Sequence, residues 1–442
     1  MRSKNFYLLS LGCSKNTVDS NSMAELLQRA GYQPTDQAAN ASVLIVNTCG
    51  FIQPAREESI RELRALARRK RKGQMLIAAG CLTQRYREWV LEQVPGIDGI
   101  IGTRRWMDIL DVIEKVRQSP PQPVYHIPDD GIIGRDEKGV LRAAVQGSSA
   151  YLKIADGCRR PCAFCAIPLI KGTLVSRPAE TIIHEAQQLE RQGVKELILI
   201  AQDTTDYGHD FGVRDGLPDL LEKLLQATSI PWIRILYAFP GYVTDRLIEI
   251  MASNPRILSY LDMPLQHAHP ATLKRMRRPS NIEWVYRTLE KMRTAMPDLA
   301  IRSTFIVGYP GETEEEFQTL MDFLQEVRLD RVGAFTFSFE PGTASEPLGD
   351  PIPAEVKEER LARLMQLQES ISLQRNQTFI GKRLEVLVEG TDRNLSIGRS
   401  YRDAPEIDGL VFIEGELPVG HIVPVQISGA LPHDLTAIPL EG

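Results

Sequence analysis

The sequence predicts an α/β protein in three parts, and three observations carry that prediction. The first hundred residues repeat three times an apolar run, a cysteine and a helix-length amphipathic stretch. Between Tyr151 and Phe337, six apolar runs alternate with helical stretches, and after Phe379 the texture changes to short alternating segments punctuated by Gly and Pro. Strand-length runs separated by helical periods argue for parallel βα units, and short alternating runs for an antiparallel sheet. At 442 residues, 43% apolar and 25% charged, the chain is long enough for two or three cores and is not a disordered tail. No run approaches the roughly 18 apolar residues of a spanning helix, and Met1 to Phe6 lacks the apolar region of a signal peptide, so a cytoplasmic location is expected.

In the first part the runs are Phe6 to Leu11, Val43 to Val46 and Met75 to Ala79, each followed closely by a cysteine: Cys13, Cys49 and Cys81. Helices fit about Ser20 to Ala30 and about Ala55 to Lys72, whose basic end suits a helix C-terminus. These units predict a Rossmann-like domain over residues 1–125. Open α/β sheets bind ligands beyond the carboxyl ends of their strands, so three cysteines distant in sequence can meet on one edge. A lone cysteine is ordinarily a small buried hydrophobe, but three in one topological position point to chemistry. Pro120, Pro121, Pro123 and Pro128, with Asp129, Asp130 and Gly131, read as a linker.

The second part, about 145–375, places strands at Tyr151 to Ile154, Glu196 to Ile200, Trp232 to Tyr237, Leu258 to Leu261, Ile301 to Val307 and Val332 to Phe337. Helices at Ala179 to Gln192 and Asn281 to Met296 lie between them, which suggests a parallel (β/α) barrel, complete or partial. Pro353 to Gln374 reads as a helix. In the third part, 376–442, Leu384 to Val388, Leu410 to Ile413 and Ile422 to Ile427 read as strands of a small antiparallel β-barrel.

Six cysteines are too few for a disulfide framework. Three of them crowd into Cys158-Arg-Arg-Pro-Cys162-Ala-Phe-Cys165, a loop directly after a predicted strand. A closed zinc site takes four ligands, and the nearest histidine, His184, lies in a predicted helix. A three-cysteine [4Fe–4S] site instead leaves one iron free to bind a small molecule. Gln202 and Asp203 end the run from Glu196, on the edge where barrel enzymes keep their sites, and Gln266 and His267 do the same one strand later. His267 reads as a hydrogen-bonded structural histidine. Gly308-Tyr-Pro-Gly311-Glu312 follows a strand and precedes a capping box at Thr313 and Glu316, so Gly308 and Gly311 either admit a ligand close to the backbone or make a plain tight turn. Arg302 can pair with a carboxylate bidentately or form an ordinary ion pair. Lys274, Arg275, Arg277 and Arg278 read as a solvated basic face, with contact to substrate as the alternative.

The spacing of Cys158, Cys162 and Cys165 at the top of the first barrel strand resembles the signature of radical S-adenosylmethionine enzymes. That resemblance implies that the open iron chelates S-adenosylmethionine and that one electron splits its sulfonium to a 5′-deoxyadenosyl radical. Ser10-Leu-Gly-Cys13-Ser-Lys-Asn16, Val46-Asn-Thr-Cys49-Gly-Phe51 and Ala79-Gly-Cys81-Leu82 resemble the amino-terminal domain of the methylthiotransferases, and the last part looks like a TRAM module. The resemblance implies a second, auxiliary [4Fe–4S] cluster on Cys13, Cys49 and Cys81. It also implies S-adenosylmethionine as both methyl donor and radical source, a Gly308 to Gly311 turn flanking the nucleoside, and a reducing donor such as a flavodoxin or ferredoxin.

Substrate choice follows from charge. The chain carries a net −5. From Asn376 onward five basic residues, Lys382, Arg383, Arg393, Arg399 and Arg402, face ten acidic ones, so this part holds the whole surplus. A module gripping RNA should be basic, whereas an acidic one suits a basic protein. Direct nucleic-acid binding and membrane association are not expected. Ser10 to Ser20, and Ile397 to Ser400 with Asp403 to Gly409, look like the branch of the family that modifies a ribosomal protein, with Ser14 where a proline is expected. The expectation is methylthiolation of an aspartate β-carbon in the twelfth small-subunit ribosomal protein. The alternatives are a transfer-RNA methylthiotransferase acting on isopentenyl-adenosine and a non-enzymatic two-cluster electron carrier.

Overall fold

The computed structural model describes residues 4–118, 122–129, 133 and 138–440. The amino-terminal runs form a six-stranded, wholly parallel sheet in the order Gln33–Pro34, Asn5–Ser10, Val43–Thr48, Met75–Gly80, Gly99–Gly102, Val124–His126. Val43–Thr48 is buried along its whole length, as a central parallel strand covered on both faces must be. The order reverses between Asn5–Ser10 and Val43–Thr48, and the crevice at such a switch point is where open α/β sheets bind ligands. Cys13 and Cys49 follow those two strands. The first helix runs Ser14–Arg29, starting directly after Cys13 rather than near Ser20, and the second runs Gln53–Arg69.

Of the expected linker, Pro120, Pro121, Asp130 and Gly131 lie outside the described residues. Between them Val124–His126 is a sheet strand paired with Gly99–Gly102, not a linker. Pro123 and Pro128 flank it without interrupting it, which an edge strand permits.

The second sheet has seven strands in chain order: Ala143–Gln146, Ser149–Lys153, Glu196–Ile200, Trp232–Ile235, Ile257–Asp262, Ala300–Val307 and Arg331–Thr336. The last six are parallel, and Ala143–Gln146 pairs antiparallel with Ser149–Lys153. The two edge strands do not pair, so this is a partial barrel. Its core is packed by helices such as Ala179–Arg191 and Ile282–Ala295. The helix Ala354–Gln377 then leads to a closed five-stranded barrel of Arg383–Asp392, Leu395–Ser400, Val411–Glu414, Leu435–Pro439 and Ile422–Ala430. Four of its pairings are antiparallel, and closure is made by one parallel pair, Val411–Glu414 with Leu435–Pro439.

Buried charge docks the small barrel onto the large one. Glu196, fully buried, accepts from Arg234 Nε at 2.7 Å and from Arg399 Nη2 at 2.6 Å, while Arg402 reaches Asp330 at 3.2 Å and Arg331 pairs with Asp403. Burial works against the charge of Glu196, but Arg234 and Arg399 outweigh it and hold its pKa at about 2 against 4.5 for an ordinary glutamate. A depressed carboxylate stabilises the fold fully above its unfolded pKa and loses that contribution as the pH falls through its folded pKa. Acid unfolding followed by calorimetry should therefore show stability falling between pH 4.5 and about 2. The Glu196→Gln variant, with no charge to lose there, should show a shallower fall; an identical slope would remove Glu196 from the account.

Candidate functional site

All six cysteines line one cavity of about 460 Å³ between the two sheets, and none is in a disulfide. The amino-terminal three arrive on loops fixed by polar side chains. Asn16 Nδ2 donates to Leu11 O at 2.6 Å and Asn47 O at 3.1 Å, while Asn47 Nδ2 donates to Asn16 O at 3.0 Å and Ser20 Oγ at 2.8 Å. These bonds tie the end of one strand to the end of the next. Ser59 Oγ brackets Cys49, accepting from its backbone N at 3.0 Å and donating to its O at 2.9 Å.

Two glycines make the close approach possible. Gly80, at φ +105°, precedes Cys81, and a Cβ there would lie 2.4 Å from Asn47 Oδ1 and 2.5 Å from Thr48 O. Gly12, at φ +92°, precedes Cys13, and its Cβ would sit 2.8 Å from Cys49 Cβ and 3.0 Å from its Sγ. Gly12→Ala adds left-handed strain of about 1–2 kcal/mol and displaces Cys49. It should lower the iron held by the amino-terminal set while leaving that of the Cys158 set. Iron analysis with spin-resonance spectra of the reduced protein reads this, and full iron in the variant would refute it.

The second set lies on the loop after Ser149–Lys153. Cys158 N donates to Gly172 O at 3.1 Å and Cys165 N to Cys162 O at 3.1 Å. Arg278 Nη1 reaches Cys162 Sγ at 3.5 Å. Burial pushes the thiols of Cys49 and Cys158 up to about 11 and those of Cys81 and Cys165 up to about 12. Buried neutral thiols hold their protons until a metal displaces them. Among the described residues no three His, Cys, Asp or Glu side chains are close enough to hold a single metal ion. The donors are soft sulfur alone, three to a set, facing a shared cavity, which fits two iron–sulfur clusters each with an iron left open.

Of the other anticipated residues, Gln202, Asp203 and Gln266 reach this wall. Gln202 Oε1 is buried with no hydrogen-bond partner among the described residues, an acceptor left unsatisfied on the cavity wall. Asp203 instead anchors Arg160, which it meets at 2.6 Å. Arg302, Gly308 and Gly311 lie off the wall. Arg302 sits near the start of its strand, away from the carboxyl edge, and pairs with Asp262 at 3.0 Å and Asp408 at 3.4 Å. Gly308 is packed under Lys357, whose Cγ a Cβ would meet at 2.4 Å, and Gly311 O accepts from Arg275. His267 is a buried structural residue facing Glu312 at 3.2 Å. The solvated-face reading fails for Arg275, which pairs with Glu316, and for Arg278, which lines the cavity.

Sequence reasoning missed Lys15, Arg160, Lys171, Tyr237 and Phe239 on the wall. Tyr237 and Gln266 carry left-handed φ of 62° and 75°, strain that gathers where function over-determines a backbone. Behind Lys171 lies a buried ionic cluster. Asp19, 1% exposed, meets Lys171 at 2.8 Å, and Lys153 and Arg142 each at 2.5 Å, with Asp156 beside Lys153 at 3.2 Å. Burial disfavours its charge, but the three cations outweigh that and hold Asp19 well below the usual carboxylate range.

Models of three families match in order: an uncharacterized family, UPF0004, over residues 5–102, the radical SAM superfamily over 152–324, and the TRAM domain over 380–439. A ribosomal protein uS12 methylthiotransferase, RimO, of Chloroflexus aurantiacus is 48% identical, covering 97% of this chain and 98% of its own. The chain belongs to the uS12 methylthiotransferase family. A member from Synechocystis is 44% identical over 98% of this chain and 96% of its own. Among solved structures, the radical S-adenosylmethionine methyltransferase TsrM of Kitasatospora setae superposes with TM-score 0.57 at 13% identity, covering 89% of this chain and 80% of that one, a likeness of fold alone. In this uS12 methylthiotransferase the two cysteine sets thus come from the UPF0004 and radical SAM regions and face one another.

Proposed function

We propose that this chain is a radical S-adenosylmethionine enzyme that transfers a methylthio group to the β-carbon of an aspartate in ribosomal protein uS12. The observation that carries this is the meeting of two three-cysteine sets in one cavity of a chain of this family. Residues 1–125 hold the auxiliary set, 145–375 the radical set, and 376–442 meet the substrate. When bound, the clusters supply a reductive cleavage of S-adenosylmethionine to a hydrogen-abstracting radical and an open iron for methylated sulfur.

This chain's own residues bind, orient and shield. Gln202, whose Oε1 is buried without a partner among the described residues, and Gln266 would hold S-adenosylmethionine through their amides on the cavity wall. Arg160, stacked 3.5 Å from the Tyr242 ring centroid and held by Asp203, fixes the cysteine loop from one side, and Arg278 compensates Cys162 sulfur from the other. Phe51, Phe164, Phe239 and Phe335 on the wall exclude the water that would quench a radical.

The small barrel's charge also supports a basic protein substrate. Its inward acids, Asp403 and Asp408, are matched by Arg331 and Arg302, whereas Glu385, Asp392, Glu406, Glu414 and Glu416 are exposed. No helix among the described residues is long and apolar enough to cross a membrane. The proposed reaction runs in the cytoplasm, where a ribosomal substrate is found, with a flavodoxin or ferredoxin as reductant. Anaerobically reconstituted protein incubated with uS12 and with isopentenyl-adenosine transfer RNA, followed by mass spectrometry, tests the reading. A methylthio group on uS12 supports it; modification of the RNA alone overturns it.

A further inference from the structure

Four cationic side chains line the cavity: Lys15, Arg160, Lys171 and Arg278. Three are committed. Arg160 meets Asp203 at 2.6 Å and Asp206 at 3.1 Å. Lys171 is bound to Asp19 at 2.8 Å and Thr103 Oγ1 at 2.7 Å. Arg278 bonds Pro264 O and Cys162 Sγ. Lys15 alone among these has neither an ion pair nor a side-chain hydrogen bond among the described residues, and its ammonium rests 3.1 Å from the Tyr237 ring centroid.

That ring is a rigid platform. Tyr237 is held at φ 62° by backbone bonds, its N donating to Asp262 Oδ2 at 3.1 Å and its O accepting from Thr204 N at 3.0 Å. Ser14 Oγ lies 3.5 Å from its hydroxyl. A cation over an aromatic face is positioned but retains N–H donors for an anion, and a carboxylate taken into a mostly apolar cavity needs such a partner. Lys15 also stands two positions after Cys13, beside the amino-terminal sulfur set.

We propose that Lys15 is the specificity-determining residue that receives the carboxylate of the substrate side chain. The inference rests on the aspartate reading above. The carboxylate is attached to the β-carbon that reacts, so a charge-assisted bond to it fixes the reacting carbon and rejects uncharged isosteres.

The test compares the parent, Lys15→Met and Lys15→Arg on uS12 and on uS12 whose target aspartate is asparagine. Lys15→Met should lower kcat/KM on the aspartate protein on the order of 10- to 100-fold, chiefly through KM, the loss expected for one buried charged hydrogen bond. On the asparagine protein, parent and Lys15→Met should match, and Lys15→Arg should recover most activity on the aspartate protein. Iron content equal to the parent establishes that the variants are folded and loaded, and Lys15→Gln replaces Lys15→Met if the latter loads poorly. Equal losses on both proteins, or no loss on either, overturn the proposal. Failure of the parent on uS12 is a separate result, which overturns the substrate reading and this inference with it.

Discussion

Replacing Cys158, Cys162 and Cys165 together by alanine abolishes cleavage of S-adenosylmethionine to 5′-deoxyadenosine and lowers iron from about eight to about four per chain, the difference of one cubane. The two sets sit on different sheets, with their own strand ends and their own loop bonds, so the amino-terminal set keeps its frame when the other loses its sulfur. Methyl transfer from S-adenosylmethionine to sulfur at the remaining cluster should persist, because that half of the reaction needs no radical. Iron and sulfide analysis with chromatography of the nucleoside products reads all three outcomes. Complete loss of iron would show that the sets are interdependent, and continued formation of 5′-deoxyadenosine would overturn the assignment of the radical set.

Asp19→Ala should be the most destabilising single substitution away from the cysteines. It leaves Arg142, Lys153 and Lys171, all buried, with less negative charge than three cations need. Breaking a buried network by removing one partner costs about 3–5 kcal/mol, which lowers the melting midpoint by about 3–5 °C for a chain of this size. Asp19→Asn keeps the shape and removes the charge, so a similar loss there assigns the effect to electrostatics rather than to a cavity. A change within about 0.5 kcal/mol, the range of an ordinary surface substitution, would sink the idea. Because Asp19 lies on the helix after Cys13 and Lys171 on the helix after Cys165, both variants should also loosen the relation between the two sets.

Much of this arrangement was legible in residue order. Apolar runs ending at Cys13, Cys49 and Cys81 carry their own period, and parallel strands buried on both faces have no polar alternation to confuse it. Leu395–Ser400 and Leu435–Pro439 were hidden for a local reason: Gly398 and Pro439 read as breakers. Gly398 in fact allows Leu387 O within 2.3 Å of where a Cβ would be. Val124–His126 was obscured by its flanking prolines. In the site, cysteine spacing is a local signal and survived, whereas Arg302, Gly308 and Gly311 were judged by neighbours in sequence although their partners, Asp408 and Lys357, come from far along the chain. Lys15 and Lys171 gave no sign at all, since a lysine's meaning lies in which carboxylate or ring it meets.

Asp19 and Lys171 are separated by 152 residues. At roughly 5–20 residues per second of synthesis, the lysine leaves the ribosome roughly 8–30 s after the aspartate. During that interval the nascent amino-terminal sheet carries three thiols on an open edge and a carboxylate whose cations have not yet been made. The wall that shelters those thiols is built only by later codons, so a cluster placed on them earlier would stand open to air and water until the chain closed over it.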